Sequence, residues 1–196
     1  MERPALTRNI RAAIINHALP AGGWASGNGK SPSVETTCLA LMALRDAQGP
    51  VYEKGRRLLE HVQNPDGSWP AFIGDDLQGC WTTSLAFIAL HAIQTKRDAV
   101  EKALPWLLRN QGREGHWLWN LKFRFADRKV RFNPDKFGWS WFPGTVSWVI
   151  PTAFALIALQ QAFPCCQSQP VSNRIQVGRE MLFDRACPGR GWNAGN

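Results

Sequence analysis

The stretch Gln63-Asn64-Pro65-Asp66-Gly67-Ser68-Trp69 has the form Gln-x-x-x-Gly-x-Trp, and it returns as Gln111-Gly112-Arg113-Glu114-Gly115-His116-Trp117. Each copy follows an apolar run with helical spacing. After a loop, each is followed by a run rich in Thr, Ala and Leu. That context places the motif at the corner of a repeated helical hairpin. Its residue types suit a corner. Glycine at 67 and 115 permits a tight turn where a Cβ would clash. The amides of Gln63 and Gln111 can satisfy helix-end backbone groups, and the rings of Trp69 and Trp117 can cover them and pack against the next unit.

Outward from these two copies, the same plan recurs in weaker form. Gly22-Gly23-Trp24 and Gly191-Trp192 keep the glycine and the tryptophan, but Ala18 stands where the first corner would have its Gln. Helical spacing predicts a first helix in each unit, over 5–18, 51–62, 100–110 and 175–183. The second helices align on Thr37, Thr83 and Thr152 and are predicted over 35–44, 81–90 and 150–159, the first of them opened by Ser31-Pro32 as N-cap and first-turn pair. The period is about 45 residues, two helices each, which is the signature of a repeat architecture. The third unit is longer, with about twenty extra residues between Trp117 and Pro151. The fourth unit lacks its second helix. Hairpins of this kind bury their apolar faces only against neighbours, so self-association or further repeats beyond residue 196 are expected.

The composition agrees with a single globular domain over 1–196, with an inserted flap at about 118–149. Hydrophobic residues make up 44% of the chain, enough for a sizeable core and too many for a disordered one. Ten Trp and ten Phe against a single Tyr argue for recurrent structural corners, an aromatic-lined cavity, or both. The formal charge of +8 is compatible with anionic lipid, nucleic acid or a phosphorylated substrate and selects none of them. The five cysteines show no metal-type spacing, and the start of the chain lacks an apolar signal core. A cytoplasmic protein with free thiols is therefore expected. No apolar run approaches the roughly 20 residues of a membrane span, which leaves peripheral attachment to a membrane open.

The corners, with their Thr-x-x-x-Ala-Leu type helices, resemble the prenyltransferase and squalene oxidase repeat of squalene-hopene and oxidosqualene cyclases and, more loosely, of protein prenyltransferase beta subunits. The resemblance runs from about residue 5 to 196. It implies an all-α fold, an α/α toroid of helical hairpins with inner helices around a cavity, of which this chain supplies about three and a half. It also implies a function: a terpene cyclase-like or prenyltransferase-like protein handling a polyprenyl or triterpenoid lipid. The alternative is a non-catalytic repeat module that binds a protein or lipid partner.

In the hopene-type cyclases an Asp-x-Asp-Asp-Thr-Ala motif at the start of an inner helix protonates the substrate, and aromatic faces stabilise the resulting cation. Aligned on its Thr, that motif is absent here. Glu35 alone retains a carboxyl group, in the place of the middle acid. It reads either as the catalytic acid or as a helix-start carboxylate at the positive end of the dipole. Trp81 and Trp148 occupy acid positions of the second and third units, and with the loop pair Asp75-Asp76 they are the candidate substrate contacts. The pair also reads as a solvated loop or helix cap. No zinc-type set of Asp, Cys and His is present, so no metal and no cofactor is expected.

Within the insertion, Leu121, Phe123 and Phe125 alternate with Lys122 and Arg124, and Val130 and Phe132 alternate with Lys129 and Arg131. A period of two predicts a short β-hairpin turning near Asp127, one face apolar and the other basic. It reads as a flap packed on the ring or as a lid facing an anionic ligand. Basic and aromatic residues so interleaved also fit single-stranded nucleic acid, but the family resemblance points elsewhere and no nucleic acid is expected.

Overall fold

The computed structural model describes residues 3–47, 49–74, 77–93, 97–125, 132–162 and 168–192. Among them the chain forms eight α-helices: α1 (Arg3–Asn16), α2 (Val34–Ala43), α3 (Pro50–His61), α4 (Thr82–Ala92), α5 (Arg97–Arg109), α6 (Trp117–Phe125), α7 (Val149–Ala162) and α8 (Gln169–Asp184). A 3-10 turn, Arg113–Gly115, precedes α6. The only β pairing among the described residues is two isolated bridges, Ala25 to Pro32 and Ser33 to Phe72.

Helix character sorts these elements into two layers. The sequences of α2, α4 and α7 are apolar nearly all round, the mark of a helix buried on most sides. They line up with α4 in the middle, packed on α2 on one side and α7 on the other. Every residue from Thr82 to Leu90 is buried. The outer helices have one apolar face each. α3 packs on α2, α5 on α4, and α8 on α7. The result is an arc of an α/α toroid. At the start of α2 the N-cap is Ser33, whose Oγ accepts from Thr36 N at 3.2 Å, in place of the Ser31 cap expected from sequence. Proline opens α3 and α8, where a missing N–H is harmless.

The corners hold the two layers together by a repeated pair of hydrogen bonds. The indole Nε1 of Trp24 donates to Ile14 O at 2.7 Å, that of Trp69 to Leu59 O at 2.7 Å, and that of Trp192 to Leu182 O at 2.6 Å. Each bond satisfies a carbonyl near the end of an outer helix, one of the groups a helix cannot pair for itself. The backbone N–H of Trp24 donates to Thr37 Oγ1 at 3.1 Å, and that of Trp69 to Thr83 Oγ1 at 3.0 Å. One tryptophan thus latches an outer helix with its ring and an inner helix with its main chain. Gln63 Nε2 adds a brace to the next unit, donating to Gly67 O and to Ala99 O in α5 at 3.0 and 2.9 Å. Gly67 sits at φ +88°, and a Cβ there would lie 2.0 Å from Lys102 O, so both conformation and space demand glycine. Replacing Thr83 with Val keeps the shape but removes the acceptor for Trp69 N. Urea unfolding is expected to show a loss of about 1–3 kcal/mol.

In the third unit the latch is Trp139, not Trp117. Trp139 Nε1 donates to Leu107 O at 2.9 Å and Trp139 N to Thr152 Oγ1 at 2.9 Å, while its ring is fully buried. Trp117 is 70% exposed. The insertion therefore lies inside the corner, between Gln111 and Trp139, and Trp117 does not take the role that Trp69 has in the second unit. Gly115 also differs from Gly67. It belongs to the 3-10 turn, and its hydrogen faces the ring of Phe137, which a Cβ would approach to 2.7 Å.

The expected β-hairpin is not formed. Residues 117–125 are helical, and 126–131, with the turn at Asp127 and the second strand's Lys129, Val130 and Arg131, lie outside the described residues. The physical reason is that the alternating segment also satisfies helical spacing. Trp119 and Phe123, and Leu121 and Phe125, are i, i+4 pairs, and the ring centroids of Trp119 and Phe123 lie 6.0 Å apart.

Candidate functional site

The chemistry-bearing part of the arc lies where the N-terminal ends of two inner helices meet the insertion. Trp81 immediately precedes α4, and its N–H donates to Trp141 O at 3.1 Å. That main-chain bond sets the ring against two others. Trp81 meets Trp141 edge-on at 5.1 Å between centroids and Phe154 of α7 at 5.6 Å. Such pairs are favoured by the ring quadrupole. Along α7, Ile150, Phe154 and Ile157 follow at i, i+4 and i+7 and form one stripe. Ile150 and Ile157 are 41% and 44% exposed, although both belong to an inner helix. Aromatic and aliphatic side chains thus line an open face with no ion pair in it among the described residues. A surface of this kind takes a hydrocarbon chain, and its ring faces suit a cation.

A second feature is a buried charge centre behind the third corner. Glu114 is fully buried, and both its carboxylate oxygens accept from Ser147 N at 3.1 Å. Arg185 Nη2 lies 3.7 Å from Glu114 Oε1, and Arg185 also pairs with Asp184. Arg174, on α8, donates to Asn110 O at 3.2 Å and Gly138 O at 2.9 Å. Burial pushes its guanidinium down to about 9, against the pull of Glu114. Arg185 Nε and Nη2 and Arg174 Nε are buried without a hydrogen-bond partner. Aromatic faces stand in for one: Arg185 lies 3.8 Å over Phe132 and Arg174 3.7 Å over Trp139. This centre clamps α8, the 3-10 turn and the approach to α7 together.

Sequence reasoning missed Glu114, yet a signal existed. Glu114 stands three residues after Gln111, as Asp66 does after Gln63. Asp66 Oδ1 accepts from Ser68 N and Ser68 Oγ at 3.0 and 2.6 Å within its own corner. Where the insertion carries the rest of the corner away, a side chain one methylene longer reaches Ser147 instead.

No protein-family model matches the chain. Its fold superimposes on a type II terpene cyclase from Scytonema, whose structure holds geranylgeranyl dihydroxybenzoate, with a TM-score of 0.59 and 20% identity, over 95% of this chain and 51% of that one. In sequence it is 29% identical over 109 residues to squalene–hopene cyclase of Bradyrhizobium diazoefficiens, covering 55% of this chain and 15% of that protein. It is also 27% identical over 139 residues to protostadienol synthase A of Arthroderma gypseum, covering 59% and 18%. The chain is terpene cyclase-like. A family 10 polysaccharide lyase from Cellvibrio cellulosa shares the fold alone, with a TM-score of 0.54 at 15% identity over 86% of this chain and 65% of that one. The terpene cyclase-like chain spans about half of the solved cyclase, and its matches cover less than a fifth of the two curated relatives.

On this terpene cyclase-like scaffold the sequence-derived candidates among the described residues take different settings. Glu35 is exposed in the first turn of α2, near the positive end of that helix. Its register equivalents are Trp81 and Ile150, so only the second and third units contribute to the aromatic face. Beside it, burial and then the charge of Glu35 push the Cys38 thiol up, leaving Cys38 an inert packing residue. Trp148 is half-buried. Its N–H donates to Trp139 O at 2.9 Å and its carbonyl accepts from Thr152 N at 3.1 Å, so its main chain sets the start of α7. Asp75 and Asp76 lie outside the described residues. Among the described residues, no three His, Cys, Asp or Glu side chains are grouped to hold a metal ion.

Proposed function

We propose that this terpene cyclase-like chain holds a polyprenyl or triterpenoid lipid against Trp81, Trp141 and Phe154, with the α7 stripe continuing the contact. The observation that carries the reading is the open aromatic cluster built jointly by α4, α7 and the insertion. The Scytonema cyclase, whose structure holds a geranylgeranyl compound, supports the ligand class. The role is binding, without protonation of the ligand by this chain alone. The Asp-x-Asp-Asp motif is missing, and the one acid in its register, Glu35, faces solvent instead of the rings.

The test is titration of the full chain with squalene and with geranylgeranyl diphosphate, followed by tryptophan fluorescence, and then product analysis. Wild type is expected to bind at least one of them and return it unchanged. Trp81→Ala is expected to weaken binding about tenfold, the equivalent of one lost aromatic contact. Absence of binding to either lipid would sink the proposal. A cyclised product that disappears in Glu35→Gln would replace a binding role with a catalytic one.

A further inference from the structure

Of the three rings on the open face, Trp141 is the one without a helix beneath it. Trp81 is the N-cap of α4 and Phe154 lies within α7. Trp141 is carried by the loop 140–147, between α6 and α7. A loop holds a ring in one direction only where its main chain is tied down around it.

The tip of this loop closes on itself. Ser140 Oγ donates to Phe142 O at 2.7 Å, and Thr145 donates to the same carbonyl from Oγ1 at 2.8 Å and from N at 3.2 Å. Those bonds give the tip a shape and leave its place to outside anchors. On one side Trp141 O accepts from Trp81 N at 3.1 Å. On the other side the 3-10 turn holds the returning arm. Arg113 N donates to Thr145 O at 2.8 Å, and both oxygens of Glu114 accept from Ser147 N at 3.1 Å. Ser147 Oγ in turn accepts from Gly138 N at 2.8 Å, which ties the outgoing arm to the same point.

Glu114 is the side-chain member of this anchor. It and Ser147 are both fully buried, so water does not replace the carboxylate as acceptor. The surroundings are closed as well: a Cβ on Gly112 would lie 2.0 Å from Ser147 Oγ and 2.7 Å from Glu114 Oε2. Arg185 Nη2, 3.7 Å from Glu114 Oε1, keeps the carboxylate in place. Without the acceptor, Ser147 N–H is satisfied only when the arm shifts towards solvent, and Trp141 shifts with it. We propose that Glu114 is a positioning residue of the aromatic face: by holding Ser147 it keeps the ring of Trp141 edge-on to Trp81. The consequence for binding rests on the lipid-binding role proposed above; the ring geometry does not.

The two indoles lie 5.1 Å apart at 84° and couple excitonically. The part of the tryptophan circular dichroism band that Trp141→Phe removes therefore reports their geometry without any ligand. The test measures that band on the folded full chain. Glu114→Met together with Arg185→Met replaces the ion pair by apolar side chains of similar volume, which preserves folding and removes the acceptor. This double variant is expected to lose the coupled band. Glu114→Gln keeps an oxygen for Ser147 N and is expected to retain most of it. Thr37→Val breaks the latch of the first corner, away from the loop, and is expected to lower the melting temperature and leave the band intact. Titration with squalene and with geranylgeranyl diphosphate is expected to show the double variant binding about threefold to tenfold more weakly than wild type. A double variant with the wild-type band overturns the proposal. So does Glu114→Gln losing the band to the same extent, or Thr37→Val losing it too. A band that changes as expected while wild type binds neither lipid upholds the positioning role and overturns the lipid-binding one.

Discussion

Trp69→Ala is expected to lower stability by about 3–5 kcal/mol, and Trp117→Ala to change it by no more than about 0.5 kcal/mol. The two residues close the same seven-residue pattern, so the contrast separates sequence match from structural role. Trp69 has no exposed surface, and its removal empties a ring-sized site between α3 and α4. It also leaves Leu59 O, accepting at 2.7 Å, without its partner in a buried setting. Trp117 loses only contacts that solvent already shares. Unfolding by urea with a constant slope, together with thermal melting, measures both. For a chain of this size the larger loss corresponds to a shift of about 6–20 °C. Trp139→Ala is expected to behave like Trp69→Ala, because Trp139 makes the same two bonds to Leu107 and Thr152. A Trp117→Ala variant as unstable as Trp69→Ala would return the third corner to residues 111–117.

Glu114→Ala is expected to destabilise the fold by about 3–5 kcal/mol. The carboxylate is the more deeply buried of the two acids paired with Arg185, which is itself buried, and it holds Ser147 N through both oxygens. Deleting it leaves two buried guanidinium groups with Asp184 as the remaining acid. A buried charge without a partner is among the costliest single defects a core can carry. Glu114→Gln keeps an oxygen for Ser147 and should lose less. The double variant Glu114→Gln, Arg185→Met is expected to recover part of the loss, because the second substitution removes the stranded cation. Simple additivity of the two single effects would show that the pair does not couple. With a total stability on the order of 5–15 kcal/mol, either large loss removes a substantial part of it.

How much of this was legible beforehand differs from residue to residue. The inner helices were readable because their apolar runs are continuous and their starts align on Thr37, Thr83 and Thr152. Those three hydroxyls accept from the corner tryptophans, so the alignment has a physical cause in one hydrogen bond repeated three times. The third corner was misread because a spacing motif is local, whereas the latch needs only that a ring reach the carbonyl ten residues before it in an unbroken unit. An insertion can separate the two ends of that bond in sequence and leave them together in space. The first strand expected at 121–125 is helical because five residues satisfy a period of 2 and a period of 3.6 equally well; only its packing partners decide.

The sequence by itself determined the repeat of helical hairpins and its length, because local chemistry recurs at a fixed interval; the inner and outer layers of the ring, and the acid motif missing from it, were implied by the family resemblance. Only the tertiary structure decided which tryptophan closes the third corner, that Glu114 pairs with Arg185 just past the end of α8, and that Trp81, Trp141 and Phe154 form one surface. Each of those outcomes joins residues separated by an insertion or by a whole hairpin, and the energy that selects them is burial and charge pairing across layers, which no short stretch of chain contains.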